Sequence, residues 1–466
     1  MEVAASGTQP LLSLCLIVKN EEAMLADCLA SARGLCDEIV VVDTGSSDAT
    51  IAVAQAADAR VSHFAWRDDF AAARNASLAA ARGRFVLLLD ADERLGPGAA
   101  DVLRAAVDAD TIDCGLLPLH HAARRDASAD DVLSGRARIE QPVLLPRLFR
   151  RTPDLAFEGV IHESAARWIV KPGRRVQVLP APIIHLGRTA DVIRDKDKQR
   201  RDIALLQKRV AVDGPDILTM GYLALELWGA GTADEARAVV NRAWPLVPAQ
   251  RDRSAARLAV ARSVLQLAAA DPAGVIETVA EAEKSEGTDS PDLRYLRAQA
   301  REVLALRLSP SPARRALLEA ALADLRVATT PGTVTLIGSL VQGATSFAGL
   351  TRLGTVLLLL ERPAEAAVAF ESALAARPDH PEALLGRVEA ILDTREHARA
   401  FTLVKPLLGP TRDAWLLAAL IAHANGQTAS ARTLLDRARA PGLPPYLALH
   451  RREREASLAA AMSLSP

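Results

Sequence analysis

Between residues 11 and 89 the chain carries short, largely apolar runs separated by stretches with helical spacing: Leu11 to Val18 (LLSLCLIV), Glu38 to Val42 (EIVVV) and Arg84 to Leu89 (RFVLLL). A strand with one wet face alternates apolar and polar residues. These runs do not alternate, so they read as strands buried on both faces. Helices must then cover the sheet above and below, which is the arrangement of a parallel α/β sheet. Arg60 to Trp66 reads as a further strand between the second and last runs. Helices are expected over Asn20 to Arg33, after a Ser46 or Ser47 cap, and over the Ala-rich segment Phe70 to Ala81. In such sheets ligands bind at the carboxyl ends of the strands.

Past Gly96 the pattern loosens. Gly115 to His121, Gln141 to Arg150 and Pro180 to Leu186 (PAPIIHL) read as more strands, and the charged stretch Arg188 to Arg209 as a solvated linking helix. From about Ile217 strand signals stop, and Ala, Leu and Arg recur at helical spacing between Pro and Gly breaks. Leu353, Gly354, Ala366, Phe370, Ala373 and Pro378 stand at the spacing of the tetratricopeptide consensus. Leu223, Ala236, Ala243 and Pro248 fit the same frame, as do Gly426, Ala431 and Ala438. Asp271 to Gly343 is helical without a clear frame. Two domains are expected: an α/β domain over 11–209 and an α-helical repeat domain over 217–460.

Composition excludes several classes. A formal net charge of −1 gives no basis for nucleic-acid binding. Cys15, Cys28, Cys36 and Cys114 form no C-x-x-C pair and no zinc spacing with His. Cys15, inside an apolar run, reads as a small buried hydrophobe. The first ten residues lack the basic start and apolar core of a signal peptide, and no run approaches the ~20 residues of a membrane span. These features point to a reducing, cytoplasmic setting.

The chemistry centres on Asp90-Ala91-Asp92, directly after RFVLLL. Carboxylates at a strand's carboxyl end can hold Mg²⁺ or Mn²⁺ beside a diphosphate, since both ions take oxygen ligands and leave positions for phosphate oxygens. An acidic turn after a core strand would look the same, so two further features matter. Asp43 ends EIVVV and precedes TGSSD, where a carboxylate can accept hydrogen bonds from a base or ribose and Gly45 permits a close turn. His162-Glu163, after FEGVI, and His185, in IIHLG, can supply a metal ligand and a general base.

Six motifs in order carry a family resemblance: CLIVKNEE, EIVVVDTGSSDAT, FAAARNASLAAARG, FVLLLDADE, FEGVIHES and IIHLG. Over about residues 11–209 the chain resembles bacterial family 2 glycosyltransferases of the GT-A fold, and among them the group of peptide S-glycosyltransferases and repeat-tailed proteins. The resemblance implies a hexosyltransferase-type enzyme. Asp43 would contact the base, usually uracil; Asp90 the ribose or metal; Asp92 the metal; Arg74 and Asn75 would lie near the nucleotide. His185 stands at the place of the late metal-binding His, and Glu163 at that of the carboxylate that activates the acceptor, with Glu158 as the alternative. Related sequences often carry Gly-Tyr after the late His and Arg-Asn in the charged helix. This chain has Gly187-Arg188 and Arg201-Asp202.

The expected reaction is transfer of a sugar from a nucleoside diphosphate, uridine-linked, to a peptide, protein or glycan acceptor. The resemblance favours inversion and dependence on a divalent cation. The repeats would bind a protein partner or a second copy of the chain. Two rivals remain from other classes: a non-catalytic repeat scaffold with a decayed α/β domain, and a sugar nucleotidyltransferase. The latter needs a Gly-rich phosphate loop after the first strand, where this chain has Val18-Lys19-Asn20-Glu21-Glu22; a dinucleotide-dependent dehydrogenase fails for the same reason.

Overall fold

The computed structural model describes residues 10–139, 141–187, 196–248, 254–285, 290–330, 340–409 and 411–463. It divides into two compact units, one running up to Leu246 and one starting at Val247. Among the described residues no helix is long and apolar enough to cross a membrane.

Among the described residues the first unit is built on nine strands: β1 (Leu12–Val18), β2 (Glu38–Asp43), β3 (Arg60–His63), β4 (Phe85–Leu88), β5 (Glu93–Leu95), β6 (Cys114–His121), β7 (Val143–Arg150), β8 (Val176–Val178) and β9 (Ile183–His185). Their order is β3-β2-β1-β4-β7-β6-β9-β5, with β8 beside β6. The four strands of the N-terminal half are parallel, as the continuous apolar runs imply. The sheet as a whole is mixed, because β7 runs antiparallel to both β4 and β6.

Alternate residues of one strand feed different cores. Leu12, Leu14 and Leu16 join Leu87 and Val41 on one face, with helices α1 (Leu25–Ser31) and α4 (Ala99–Ala109). Cys15, Val40, Val86 and Leu88 join Phe149 and Trp168 on the other, under α3 (Phe70–Ala80). Helix α2 (Thr50–Ala56) follows β2; two short helices, α5 (Ala129–Ser134) and α6 (Ala166–Ile169), lie further on. Cys15 has no exposed surface, and burial pushes its thiol up to about 12, so it acts as the expected hydrophobe. All four cysteines are free.

Two local expectations need correction. The helix expected over Asn20 to Arg33 begins only at Leu25, because Asn20 has a left-handed backbone (φ 56°). Its side chain accepts from the Ser47 N–H at 2.8 Å, and its own N–H donates to Ser46 Oγ at 2.9 Å. Neither serine therefore caps α2, whose N-cap is Ala49 with no side-chain bond. KNEE and TGSSD staple one strand-end loop to the other instead.

Helices α7 (Lys196–Asp213), α8 (Ile217–Gly229) and α9 (Ala233–Ala243) complete the first unit. The expected linking helix is thus present from Lys196 onward; Arg188 and the rest of 188–195 lie outside the described residues. The compact unit reaches beyond residue 209, and the helix pair α8–α9 packs with it.

The second unit is helical throughout its described residues. Its best consensus match is the pair Phe347–Leu359 and Pro363–Ala376. The small residues matter here: a Cβ on Gly354 would stand 2.7 Å from the Phe370 ring, and one on Gly386 2.3 Å. Both glycines make room for one buried aromatic. The unframed segment forms helices Pro272–Ala282, Pro291–Leu306 and Pro312–Ala328, each with Pro in its first turn, where its missing N–H costs nothing.

Candidate active site

The turn after β4 gathers the acidic residues. Asp90 N–H donates to Glu93 Oε2 at 3.0 Å, and Glu93 N–H to the Asp90 carbonyl at 3.0 Å, so Asp90-Ala91-Asp92-Glu93 is a closed turn at the strand's carboxyl end. Two arginines flank it, Arg74 buried and Arg147 largely so. Arg74 of α3 donates from Nη2 to Asp90 Oδ1 at 3.1 Å, and Arg147 of β7 to Asp90 Oδ2 at 3.2 Å. Arg147 also bonds Glu93. Partial desolvation would raise the Asp90 pKa; Arg147 and Arg74 hold it well below the usual carboxylate range. Glu93, 1% exposed, is pushed up to about 7 by burial, against Arg147. Two carboxylates sharing Arg147 divide in this way: Asp90 keeps the charge.

Arg74 ties this turn to Glu163. Its Nη2 lies 2.9 Å and its Nε 3.2 Å from Glu163 Oε1. Both bonds fall on that one oxygen of the carboxylate. Burial would lower the Arg74 pKa, but Asp90 and Glu163 hold it above its ordinary value. Arg74 Nη1 is buried and has no hydrogen-bond partner among the described residues. A desolvated donor without a partner is costly, and it marks a place for an added acceptor.

Asp92 and His185 meet at the other side of the turn. Asp92 Oδ2 is 3.3 Å from His185 Nε2, and Leu186 N–H donates to the Asp92 carbonyl. Two ligands of one octahedral cation with bonds of about 2.1 Å stand roughly 3 Å apart, so this donor pair fits a shared ion. A Cβ on Gly187 would lie 1.9 Å from Asp92 Oδ2, so only glycine leaves that carboxylate its place. Strand register puts His121 opposite His185, and their Nδ1 atoms approach to 2.8 Å. One of the two must carry the proton, which orients the His185 ring through its far nitrogen. Among the described residues no cluster of three or more His, Cys, Asp or Glu stands in a ligating arrangement. Two protein ligands plus phosphate oxygens is a usual set for Mg²⁺.

Residues 13–131 match the family model described as glycosyl transferase family 2. The first unit carries a glycosyl transferase family 2 domain. A TPR repeat-containing protein of Synechococcus elongatus is 36% identical over 225 residues, 47% of this chain and 51% of that protein. The SPbeta prophage-derived glycosyltransferase SunS of Bacillus subtilis is 22% identical over 223 residues, 47% of this chain and 49% of that one. The chain thus spans about half the length of these curated relatives. Among solved structures, glucosyl-3-phosphoglycerate synthase of Mycobacterium tuberculosis, in complex with Mn²⁺, UDP-glucose and phosphoglyceric acid, is 28% identical over 24% of this chain and 44% of that chain, with a TM-score of 0.21.

The glycosyltransferase domain brings Arg74, Asp90 and Glu163 into direct contact and pairs Asp92 with His185. Asp43 is fully buried at the end of β2; its carboxylate accepts from the Gly45 and Ser46 N–H groups and faces His63 Nδ1 at 3.2 Å. Asn75 has a different task from Arg74. Its amide donates to the Phe157 carbonyl at 2.9 Å and accepts from the Phe157 N–H at 2.8 Å, clamping the loop that carries Glu163. Glu158, the alternative base, lies on the surface and pairs with the exposed Arg167.

Three residues of this domain escaped the sequence reading as site members: Glu93, Arg147 and His121. Glu93 closes the DADE motif. Arg147 is a charge in the middle of the otherwise apolar stretch VLLPRLF, three residues before the terminal Arg150, a signal that a partner exists. His121 follows His120 at a strand end, and only the pairing of β6 with β9 reveals its neighbour.

Proposed function

We propose that this chain transfers a glycosyl group from a uridine diphosphate sugar to a nucleophile on an acceptor, with inversion and with a divalent cation. The observation that carries the reading is Arg74, which joins the Asp90 turn to Glu163 through one guanidinium. A donor-side carboxylate and a candidate base are thereby fixed side by side at the carboxyl ends of the strands.

In this reading Asp90 recognises the ribose, while the enclosed Asp43 holds the Gly45–Ser46 turn at the strand end where the base would bind. Asp92 and His185 hold the cation, which when bound offsets the charge of the leaving diphosphate. Glu163 Oε2, the oxygen free of the Arg74 bonds, takes the acceptor's proton as the nucleophile attacks the anomeric carbon. Arg74 holds that carboxylate in place before the substrate arrives, which supplies orientation. The orphan Nη1 of Arg74 suits a donor oxygen. The helical repeats downstream serve acceptor choice or self-association, for which stacked helix pairs offer an extended surface.

The test is a panel of nucleotide sugars incubated with the full chain and Mg²⁺ or Mn²⁺. The expected result is release of the nucleoside diphosphate that requires the cation and is lost in Glu163→Gln. No turnover with any donor and no nucleotide binding would favour a non-catalytic scaffold. Pyrophosphate as the product would favour a nucleotidyltransferase.

A further inference from the structure

The loop from Phe157 to Ala165 has no regular secondary structure, yet it presents Glu163. Inside the loop, Glu158 and Ser164 bond each other's backbone in both directions at 3.0 Å. Asn75 clamps Phe157, and the Phe70 N–H donates to the Val160 carbonyl at 2.9 Å. Arg74 receives Glu163. These anchors come from α3, beneath the sheet. The rest come from helices beyond the sheet. Arg209 of α7 donates to the Ile161 carbonyl at 3.0 Å, beside Gly159, where a Cβ would stand 2.7 Å from the guanidinium. Tyr222 of α8 stacks on His162, with ring centroids 3.6 Å apart and planes 14° apart.

His162 is the residue that needs help. It has φ of 51°, a left-handed conformation that a non-glycine residue avoids, and it is exposed. A backbone in that region persists only where its surroundings over-determine it, and such positions gather at functional sites. The ring stack supplies a restraint on the residue immediately before Glu163. We propose that α7 and α8 are part of the catalytic apparatus, with Tyr222 as a positioning residue that acts through His162 to set Glu163, assisted by Arg209. This rests on the reading of Glu163 as the base. It gives the first helix of the repeat-like region a role in the chemistry that its sequence spacing does not announce.

The test uses Tyr222→Ala and Tyr222→Phe in the full chain, with two readouts. One is hydrogen exchange at the Ser164 amide, which reports the loop whether or not the protein is a transferase. The other is steady-state release of UDP from UDP-glucose, or from whichever uridine-linked donor the panel selects. In Tyr222→Ala we expect exchange at Ser164 to speed up at least about tenfold. Turnover should fall by about 10- to 100-fold, the cost of a displacement near 1 Å, while the donor KM stays within about twofold. Tyr222→Phe keeps the ring and should behave as the parent. Tyr222→Ala combined with Glu163→Gln should be no slower than Glu163→Gln alone, because residues acting as a unit are not additive. Should Tyr222→Ala unfold, His162→Gly removes the same stack from the exposed side and tolerates the positive φ. Unchanged exchange at Ser164, or a Phe variant as impaired as Ala, or multiplicative losses in the double variant, each overturns the proposal. Full activity in Glu163→Gln would overturn the base reading instead, and the exchange measurement would still decide the role of Tyr222.

Discussion

The strand-end turn of the first unit and the clasp of the second use the same side chains toward opposite ends. In the first, the side chains of Asp90 and Asp92 remain 39% and 29% exposed while Arg74 and Arg147 press on the turn from within. In the second, Glu389 and Asp413 are closed off from water, and both bond the equally buried Arg451. His450 and Arg454 complete the shell around Glu389. A carboxylate surrounded on every side has no valence left for a ligand, whereas one anchored from below and open above can still bind. Access, rather than residue type, separates a site from a staple.

Substitutions can break this contrast, and the largest effect is expected at Asp92. Asp92→Asn should leave the fold intact and reduce cation-dependent turnover below about a thousandth, since an anionic ligand is lost from a set of two. Near-normal turnover at low micromolar Mn²⁺ would remove Asp92 from that role. Glu163→Gln should lower turnover by roughly two to four orders of magnitude with donor binding preserved, as for loss of a general base. Equilibrium dialysis of the donor, run beside the rate assay, separates the two effects.

The clasp should respond in stability. Glu389→Gln leaves Arg451 buried with half its partners and should destabilise the second unit by about 3–5 kcal/mol, read from denaturant unfolding, while the donor-site assay is unchanged. Acid sharpens the same point. Burial would raise the Glu389 pKa, but His450 and Arg451 hold it well below 4.5. Its contribution is therefore complete above pH 4.5 and is lost as pH falls through the depressed folded value. Thermal unfolding from pH 7 down to 3 should show that loss in the parent and a flatter profile in Glu389→Gln. The smallest effect belongs to Glu158→Gln. Its pair with Arg167 is exposed, so stability should change by less than about 1 kcal/mol and turnover should stay within about twofold. A large activity loss there would show the wrong carboxylate has been assigned.

Much of the sheet was legible because burial on both faces leaves an unmistakable apolar run. Leu11 to Val18 and Arg84 to Leu89 differ from β1 and β4 by a residue or two at the ends. Two short strands were not legible: Glu93–Leu95 and Val176–Val178 have three residues each and lie in no longer apolar run, unlike the three-residue Ile183–His185 within PAPIIHL. The helix expected from Asn20 was shortened by side-chain bonds to Ser46 and Ser47, across 26 and 27 residues of sequence, which no local propensity reports. Of the candidate site, Asp90 and Asp92 were readable from their place after a strand, and Glu163 and His185 from motif order.

The sequence alone determined the alternation of strand and helix, the strand-end carboxylates and the small residues at which helices pair, because these depend on periodicities of two and 3.6 and on side-chain volume. It did not determine partners. That Arg147 faces Asp90, that His121 meets His185 across paired strands, and that Tyr222 lies on His162 are contacts between residues 57, 64 and 60 positions apart. Chain connectivity places no constraint on such contacts until the sheet has closed and α7 and α8 have docked. Only tertiary packing could decide which carboxylate was enclosed and which was left open to bind.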